Sequence, residues 1–119
     1  MFVLGFVIAA SIGAFIRWGF VVGGFSHPLA SFVVNILGSF AIGFLFIYLE
    51  KSSPQLKTWV CVALLGSLTT YSSFSLDIVR LVDQGAFKIA SFYFLSTNIL
   101  CVGGCYAGWL IAKKMVTIQ

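Results

Sequence analysis

Small polar residues crowd the middle of one of the most apolar stretches of the chain. Seven glycine, serine and threonine residues fall within ten positions: Gly66, Ser67, Thr69, Thr70, Ser72, Ser73 and Ser75. A continuous helix satisfies a few hydroxyls by bonding them back to its own carbonyls. So dense a run favours a helix break over Gly66 to Tyr71, whose freed carbonyls can bind a small cation. The alternative is an unbroken helix whose hydroxyls are satisfied internally.

Two aromatic residues follow at helical spacing. Tyr71 and Phe74 stand three apart, so a helix projects both rings from one face. Because the edge of an aromatic ring carries positive charge, such a pair can approach a partly dehydrated anion. Ordinary aromatic packing is the competing interpretation.

Two rows of hydroxyl and amide groups occur at i,i+4 spacing. One row is Ser31, Asn35 and Ser39; the other is Tyr93, Thr97 and Cys101, with Ser96 and Asn98 nearby. Each row lies on one stripe of a helix, and its donors can line a narrow path for an anion that accepts hydrogen bonds. Hydrogen bonds between packed helices are the alternative use of such groups.

Charged residues are few, and their positions are informative. Arg17 lies near the end of the first apolar stretch, where it either snorkels to the interface or attracts anions into an aqueous vestibule. Glu50 is expected at a helix end, and Asp77 and Asp83 lie late in the third stretch. With no carboxylate expected in the middle of a helix, a proton-coupled cation exporter has no evident coupling residue.

The composition shows what kind of scaffold must position these groups. Of 119 residues, 61% are hydrophobic and only 8% are charged, and the mean hydropathy is +1.09. A soluble domain usually carries about 25% charged residues, so this chain is expected to be an integral membrane protein. Its apolar runs predict four membrane-spanning helices, over residues 2–22, 29–49, 58–82 and 87–112. Residues 1–119 are therefore interpreted as one all-α transmembrane domain.

Several functional classes do not fit. The net charge is +4, but the basic residues are scattered, which argues against a nucleic-acid partner. The three cysteines lie in apolar runs and have no flanking histidine, so neither a disulfide framework nor a zinc site is expected. The sequence contains no nucleophile and base pair and no phosphate-binding loop, and we do not expect an enzyme.

The charges at the two ends of the predicted helices are almost balanced. One side carries Lys51, Lys57, Lys113 and Lys114, and the other carries Arg17, Arg80 and Lys88. Orientation in a membrane normally follows an excess of Lys and Arg in the cytoplasmic loops. Four against three gives almost no bias and predicts dual topology, in which oppositely inserted copies pair as an antiparallel dimer.

Three segments resemble the signatures of the Fluc, or CrcB, family of fluoride channels. They are GAFIRW at residues 13–18, VVNILGSFAIG at residues 33–43 and ALLGSLTTYSSFSLD at residues 63–77. They occur in the family's order and at its usual chain length. The resemblance implies a fluoride-selective channel for passive export across the cell membrane, built as an antiparallel dimer with two pores.

The resemblance also implies roles for individual residues. Backbone carbonyls of Gly66 and Thr69, with the same pair from the second copy, would hold a structural sodium ion at the dimer interface. Arg17 matches the arginine near the pore entrance. The fluoride pore would carry over onto Ser31, Asn35, Tyr71, Ser72, Ser73, Phe74, Tyr93 and Thr97.

Departures from the family pattern leave alternatives open. The family has two phenylalanines where this chain has Tyr71 and Phe74, so the chain is expected to form either a homodimer or one half of a heterodimer with a paralogue. Asp77 replaces the usual glutamate. A small multidrug transporter shares the length, helix number and dual topology, but it depends on a glutamate in the first helix, which is absent here.

Overall fold

Residues 1–118 are described by a computed structural model, and every regular element within them is helical. In chain order the elements are α1 (Phe2–Val22), α2 (His27–Tyr48), α3 (Pro54–Lys57), a π-helix π1 (Thr58–Leu64), α4 (Leu65–Leu68), α5 (Tyr71–Asp83) and α6 (Phe87–Ile118). The connections between the long helices are short turns.

Four segments are long and apolar enough to cross a membrane: Phe2–Val22, His27–Tyr48, Pro54–Asp83 and Phe87–Ile118. The four predicted helices are thus confirmed, and the first has the predicted bounds. The others extend beyond the predicted ranges because Pro28 and Pro54 start helices earlier than hydropathy indicates. The fourth continues through Lys113 and Lys114, which hydropathy counts as flanking residues.

Helices α2 and α6 pack along their lengths as one parallel pair, with Phe32 beside Tyr93 near their starts and Phe40 beside Gly108 further along. A side chain at Gly108 would collide with the backbone carbonyl of Phe40, which shows how closely the two backbones approach. Gly104 and Gly108, four residues apart on α6, therefore face α2 within the chain. Small residues permit such close packing in membranes, where lipid gives no hydrophobic driving force for helix association.

Helix α1 packs against the other part of the chain, π1 and α4. The indole Nε1 of Trp59 donates to the carbonyl of Phe2 at 3.1 Å, and the Ser67 hydroxyl lies 2.7 Å from the carbonyl of Ala10. The amide of Leu65 bonds back to the carbonyl of Val60, five residues earlier, as π geometry requires. The third span is therefore a composite of four helical pieces, and it is bonded to α1 through Trp59 and Ser67, both on the N-terminal side of Thr69 and Thr70.

We expect Gly108→Val to destabilise the fold, because the added side chain would overlap the Phe40 carbonyl unless α2 and α6 separate. Such overpacking costs about 1–3 kcal/mol or more. The measurement is thermal unfolding of the purified protein in detergent. Gly103→Val is the matched control, since Gly103 lies one turn away with nothing within 4 Å of the new Cβ. Equal stability of the two variants would contradict this packing.

Candidate functional site

The backbone leaves helical geometry at two residues, Thr69 and Thr70. Their ψ angles are 155° and 120°, whereas α4 ends at Leu68 and α5 begins at Tyr71. The interruption is shorter than the predicted segment, because Gly66 lies inside α4 and Tyr71 is the first residue of α5. Short helices end and restart here because side chains take over the backbone hydrogen bonds at both ends of the gap.

Asn35 of α2 makes the main long-range contact with this interruption. Its Nδ2 donates to the carbonyl of Thr70 at 3.1 Å, and its Oδ1 accepts from the amide of Thr70 at 2.8 Å. Both residues are buried. The single amide side chain thus pairs both backbone groups of Thr70, which would otherwise be costly to bury. We call this pair of bonds the Asn35–Thr70 clamp.

Thr70 also caps the helix that follows. Its hydroxyl accepts from the amide of Ser73 at 3.2 Å and lies 3.2 Å from the hydroxyls of Ser72 and Ser73. Threonine is a favoured residue at this position, because its oxygen satisfies one free amide of the first helical turn. Sequence reasoning did not assign a role to Thr70, although a threonine three residues before a serine in a polar run is a recognisable cap signal.

These bonds bear directly on the two residues expected to hold sodium. In a continuous helix the Gly66 carbonyl accepts from the Thr70 amide, but that amide donates to Asn35. The Thr69 carbonyl would accept from the Ser73 amide, which donates to the Thr70 hydroxyl instead. Both carbonyls therefore lose their regular helical donors, and neutral oxygens of this kind suit sodium. Gly66 itself is exposed and helical, whereas Thr69 is half-buried.

The first of two polar cavities at the interruption has a volume of about 210 Å³. We call it the Asn35 cavity; it is lined by Asn35, Ser39, Thr69, Thr70, Tyr71, Phe74, Thr97, Asn98 and Cys101. It brings together five of the predicted site residues from α2, α5, α6 and the interruption. Asn35 and Ser39 of the α2 row therefore face the same space as Thr97 and Cys101 of the α6 row.

The second cavity, the Arg17 cavity, has a volume of about 260 Å³. It is lined by Ala14, Arg17, Trp18, Val21, His27, Ala30, Ser31, Thr70 and Ser73. Thr70 lines both cavities, so the interruption separates two polar spaces on neighbouring faces of the chain. Arg17 is among these lining residues and adds a positive charge to the wall of the Arg17 cavity.

Three predicted site residues, Gly66, Ser72 and Tyr93, line neither cavity. Ser72 is exposed on the single chain, and Tyr93 is buried against Phe74 with ring centroids 5.3 Å apart. The Tyr93 hydroxyl and the Thr97 hydroxyl have no hydrogen-bond partner within residues 1–118. These two oxygens on successive turns of α6 are available to a bound polar species.

The aromatic pair divides between the interior and the surface. The rings of Tyr71 and Phe74 are 5.6 Å apart and tilted by 49°, so they are neighbours, as their spacing predicts. Phe74 is buried, whereas Tyr71 is 74% exposed. Both border the Asn35 cavity, and Tyr71 extends its edge to the surface of the chain.

Asp77 lies late in the third span, as expected, but its burial and its contact were not anticipated. Its side chain is 1% exposed and its Oδ1 lies 3.9 Å from Nδ1 of His27. Its position one turn after Phe74 on the same face was the available signal. Within the described residues, no group of three or more acidic, histidine or cysteine side chains forms a metal site.

A model of the CrcB family, described as "CrcB-like protein, Camphor Resistance (CrcB)", matches residues 4–109. The chain belongs to the CrcB family. Among its relatives, a protein of Rhodospirillum centenum named "Fluoride-specific ion channel FluC" is 35% identical, and the match covers 96% of this chain and 97% of that protein. A protein of Coxiella burnetii with the same name is 32% identical, over 97% of this chain and 100% of that protein.

Numbered members of this CrcB family are also similar. A Staphylococcus saprophyticus protein named "Fluoride-specific ion channel FluC 2" is 30% identical over 91% of this chain and 93% of its own length. A Staphylococcus epidermidis protein named "Fluoride-specific ion channel FluC 1" is 35% identical over 90% of this chain and 93% of its own length. The CrcB family match accounts for the four spans together, because it extends through nearly all of them.

Asn35→Ala should destabilise the protein by about 2–4 kcal/mol, because it leaves the amide and carbonyl of Thr70 buried without partners. Thermal unfolding in detergent measures the change. Asn98→Ala is the matched control: Asn98 is exposed and bonds only to the carbonyl of Phe94 on its own helix. If both variants lose the same stability, the Asn35–Thr70 clamp does not stabilise the fold.

Proposed function

We propose that this chain is a fluoride-selective channel that lets fluoride leave the cell passively across the plasma membrane and so reduces fluoride toxicity. The names of the full-length relatives carry the proposal. The arrangement of Thr70 between the two cavities supports it from the structure. Helix α1 contains no carboxylate, and a small multidrug transporter depends on one in its first helix, so this alternative is not favoured.

Fluoride passage requires groups that replace tightly held water. A narrow path does so with several close donors rather than with one strong charge. The hydroxyls of Tyr93 and Thr97 have no hydrogen-bond partner among the described residues 1–118, and Ser31 and Ser73 line the Arg17 cavity. We infer a path from the Arg17 cavity, past Thr70 and Phe74, to the donors of α6.

A sodium ion completes the proposed centre. The Gly66 and Thr69 carbonyls would hold it together with the same pair from a second copy. Their helical donors are diverted to Asn35 and to the Thr70 hydroxyl, which is the support for this assignment. When bound, the ion would supply a fixed positive charge and connect the interrupted helices of the two copies. In this arrangement the interruption would lie at mid-membrane depth.

An antiparallel dimer follows from the same reasoning. The Asn35 cavity reaches the surface of the single chain, where Tyr71 and Asn98 are exposed. Polar surface of this kind is unfavourable against lipid and is expected to face protein. We propose that an oppositely inserted copy covers it.

The partner copy is either this same chain or a paralogue. Tyr71 in place of phenylalanine, and relatives numbered FluC 1 and FluC 2, favour keeping a heterodimer as the second candidate. Fluoride efflux from vesicles that contain only this chain supports the homodimer. Folded protein without fluoride efflux supports the obligate heterodimer.

Thr97→Val should lower fluoride efflux from liposomes about tenfold, because it removes an unpartnered donor while keeping the side-chain shape. A fluoride electrode measures the efflux, and chloride efflux measured in parallel tests selectivity. Thr117→Val is the matched control, since the Thr117 hydroxyl is exposed and bonds to the carbonyl of Lys113. Unchanged efflux in Thr97→Val would remove this residue from the path.

Dual topology predicts that a label in the α2–α3 loop is divided between the two sides of the membrane. With Cys61, Cys101 and Cys105 replaced, Ser53→Cys gives one exposed thiol. An impermeant thiol reagent applied to intact cells should label about half of the copies, and the rest only after lysis, because the charge bias is small. A label found entirely on one side would contradict homodimeric dual topology.

A further inference from the structure

The most deeply buried ionisable group of the described chain has no place in the proposed fluoride path. The Asp77 side chain is 1% exposed, and its Oδ2 has no hydrogen-bond partner within residues 1–118. An ionisable residue inside a membrane span is costly and is usually functional. A negative charge beside an anion path also opposes the proposed function unless something compensates it.

His27 is the group placed to compensate it. His27 is the first residue of α2, its Nδ1 lies 3.9 Å from Oδ1 of Asp77, and its side chain is 53% exposed. The pair therefore places a solvent-exposed imidazole next to a buried carboxylate. His27 also lines the Arg17 cavity, so its charge acts on the space through which an anion would enter.

The other charged and titratable groups around this pair are few. From α1, the positive guanidinium of Arg17 lines the same cavity as His27. From α6, the Tyr93 hydroxyl lies close to Asp77 and Ser31. Histidine is the residue type among these whose charge can change between pH 5 and 8.

We propose that His27 controls fluoride entry by its charge: protonated, it neutralises Asp77 and admits the anion, and neutral, it leaves Asp77 to repel the anion. The argument rests on the proposed function. A positive charge in a cleft raises the local concentration of anions, and a negative charge lowers it. Fluoride flux should therefore rise as the pH falls, in the range where fluoride itself remains an anion.

In the proposed antiparallel dimer, control by His27 would operate at both membrane surfaces. Each copy carries its own His27 at the same end of α2, so oppositely inserted copies place one imidazole at each membrane surface. Each His27 would respond to the pH of the compartment that it faces.

The test compares fluoride efflux from liposomes at about pH 6 and about pH 8. Wild-type efflux should be several-fold to about tenfold faster at the lower pH. His27→Gln should be slow at both values, and His27→Lys, with a permanent charge, should be fast at both. Lys88→Gln is the control for general surface charge on the same side of the chain, and it should keep the wild-type pH dependence.

Two flux outcomes overturn the proposal: a wild-type efflux that is equal at both pH values, or a pH dependence that survives in His27→Gln. Neither contradicts the fluoride channel itself, since fluoride still passes. Absence of fluoride efflux at every pH contradicts the homodimeric channel instead, and the ion pair is then decided by a measurement that needs no flux.

That measurement uses the single histidine of the chain. The ring nitrogen NMR signals of His27 belong to one residue and need no further assignment. In detergent at about pH 6, Asp77→Asn should shift these signals, because it removes the carboxylate beside the ring. Asp83→Asn, an exposed acid on the same helix, should leave them in place. Identical signals in the wild type and Asp77→Asn overturn the pairing.

Discussion

The architecture depends on how a gap in a membrane helix is satisfied without water. Two non-helical residues inside an apolar span would leave backbone amides and carbonyls unpaired, at several kcal/mol for each group in hydrocarbon. The Asn35–Thr70 clamp satisfies one residue completely, and the Thr70 hydroxyl satisfies the next helix start. Because α2 carries the clamp and α6 packs along α2, these three parts of the fold hold one another in register.

The bonds that stabilise the interruption also leave nearby carbonyls without their regular helical donors. The clamp diverts the helical donor of the Gly66 carbonyl, and the Thr70 hydroxyl diverts that of the Thr69 carbonyl. On α6, the hydroxyls of Tyr93 and Thr97 have no hydrogen-bond partner within residues 1–118. Unpaired polar groups are costly inside an apolar chain, which is the physical reason to propose a ligand for them. The proposal that this ligand is fluoride rests on the names of the CrcB relatives, because hydroxyls and amides alone suit any small anion that accepts hydrogen bonds.

Much of this organisation could be predicted from local signals. Hydropathy predicted the four spans because a helix of about twenty apolar residues matches the thickness of the hydrocarbon core. The density of serine and threonine predicted the position of the interruption to within a few residues. Its length was overestimated, because Gly66 stays helical once α1 and the Ser67 hydroxyl support that turn. The pairing of Asn35 with Thr70 and the contact of Asp77 with His27 depend on how distant segments meet, and no local pattern carries that information.

The π-helix at Thr58–Leu64 decides which way the residues after it in the third span point around the helix axis. Hydrogen bonds to the fifth preceding residue widen the coil, so every later side chain is turned back relative to an ordinary helix. The rotational phase of the Gly66 and Thr69 carbonyls is thereby decided several residues upstream, beside Trp59. Residue number in that stretch is therefore held more strictly than residue type: exchanging one apolar side chain there keeps the phase, whereas gaining or losing one position turns the whole downstream segment.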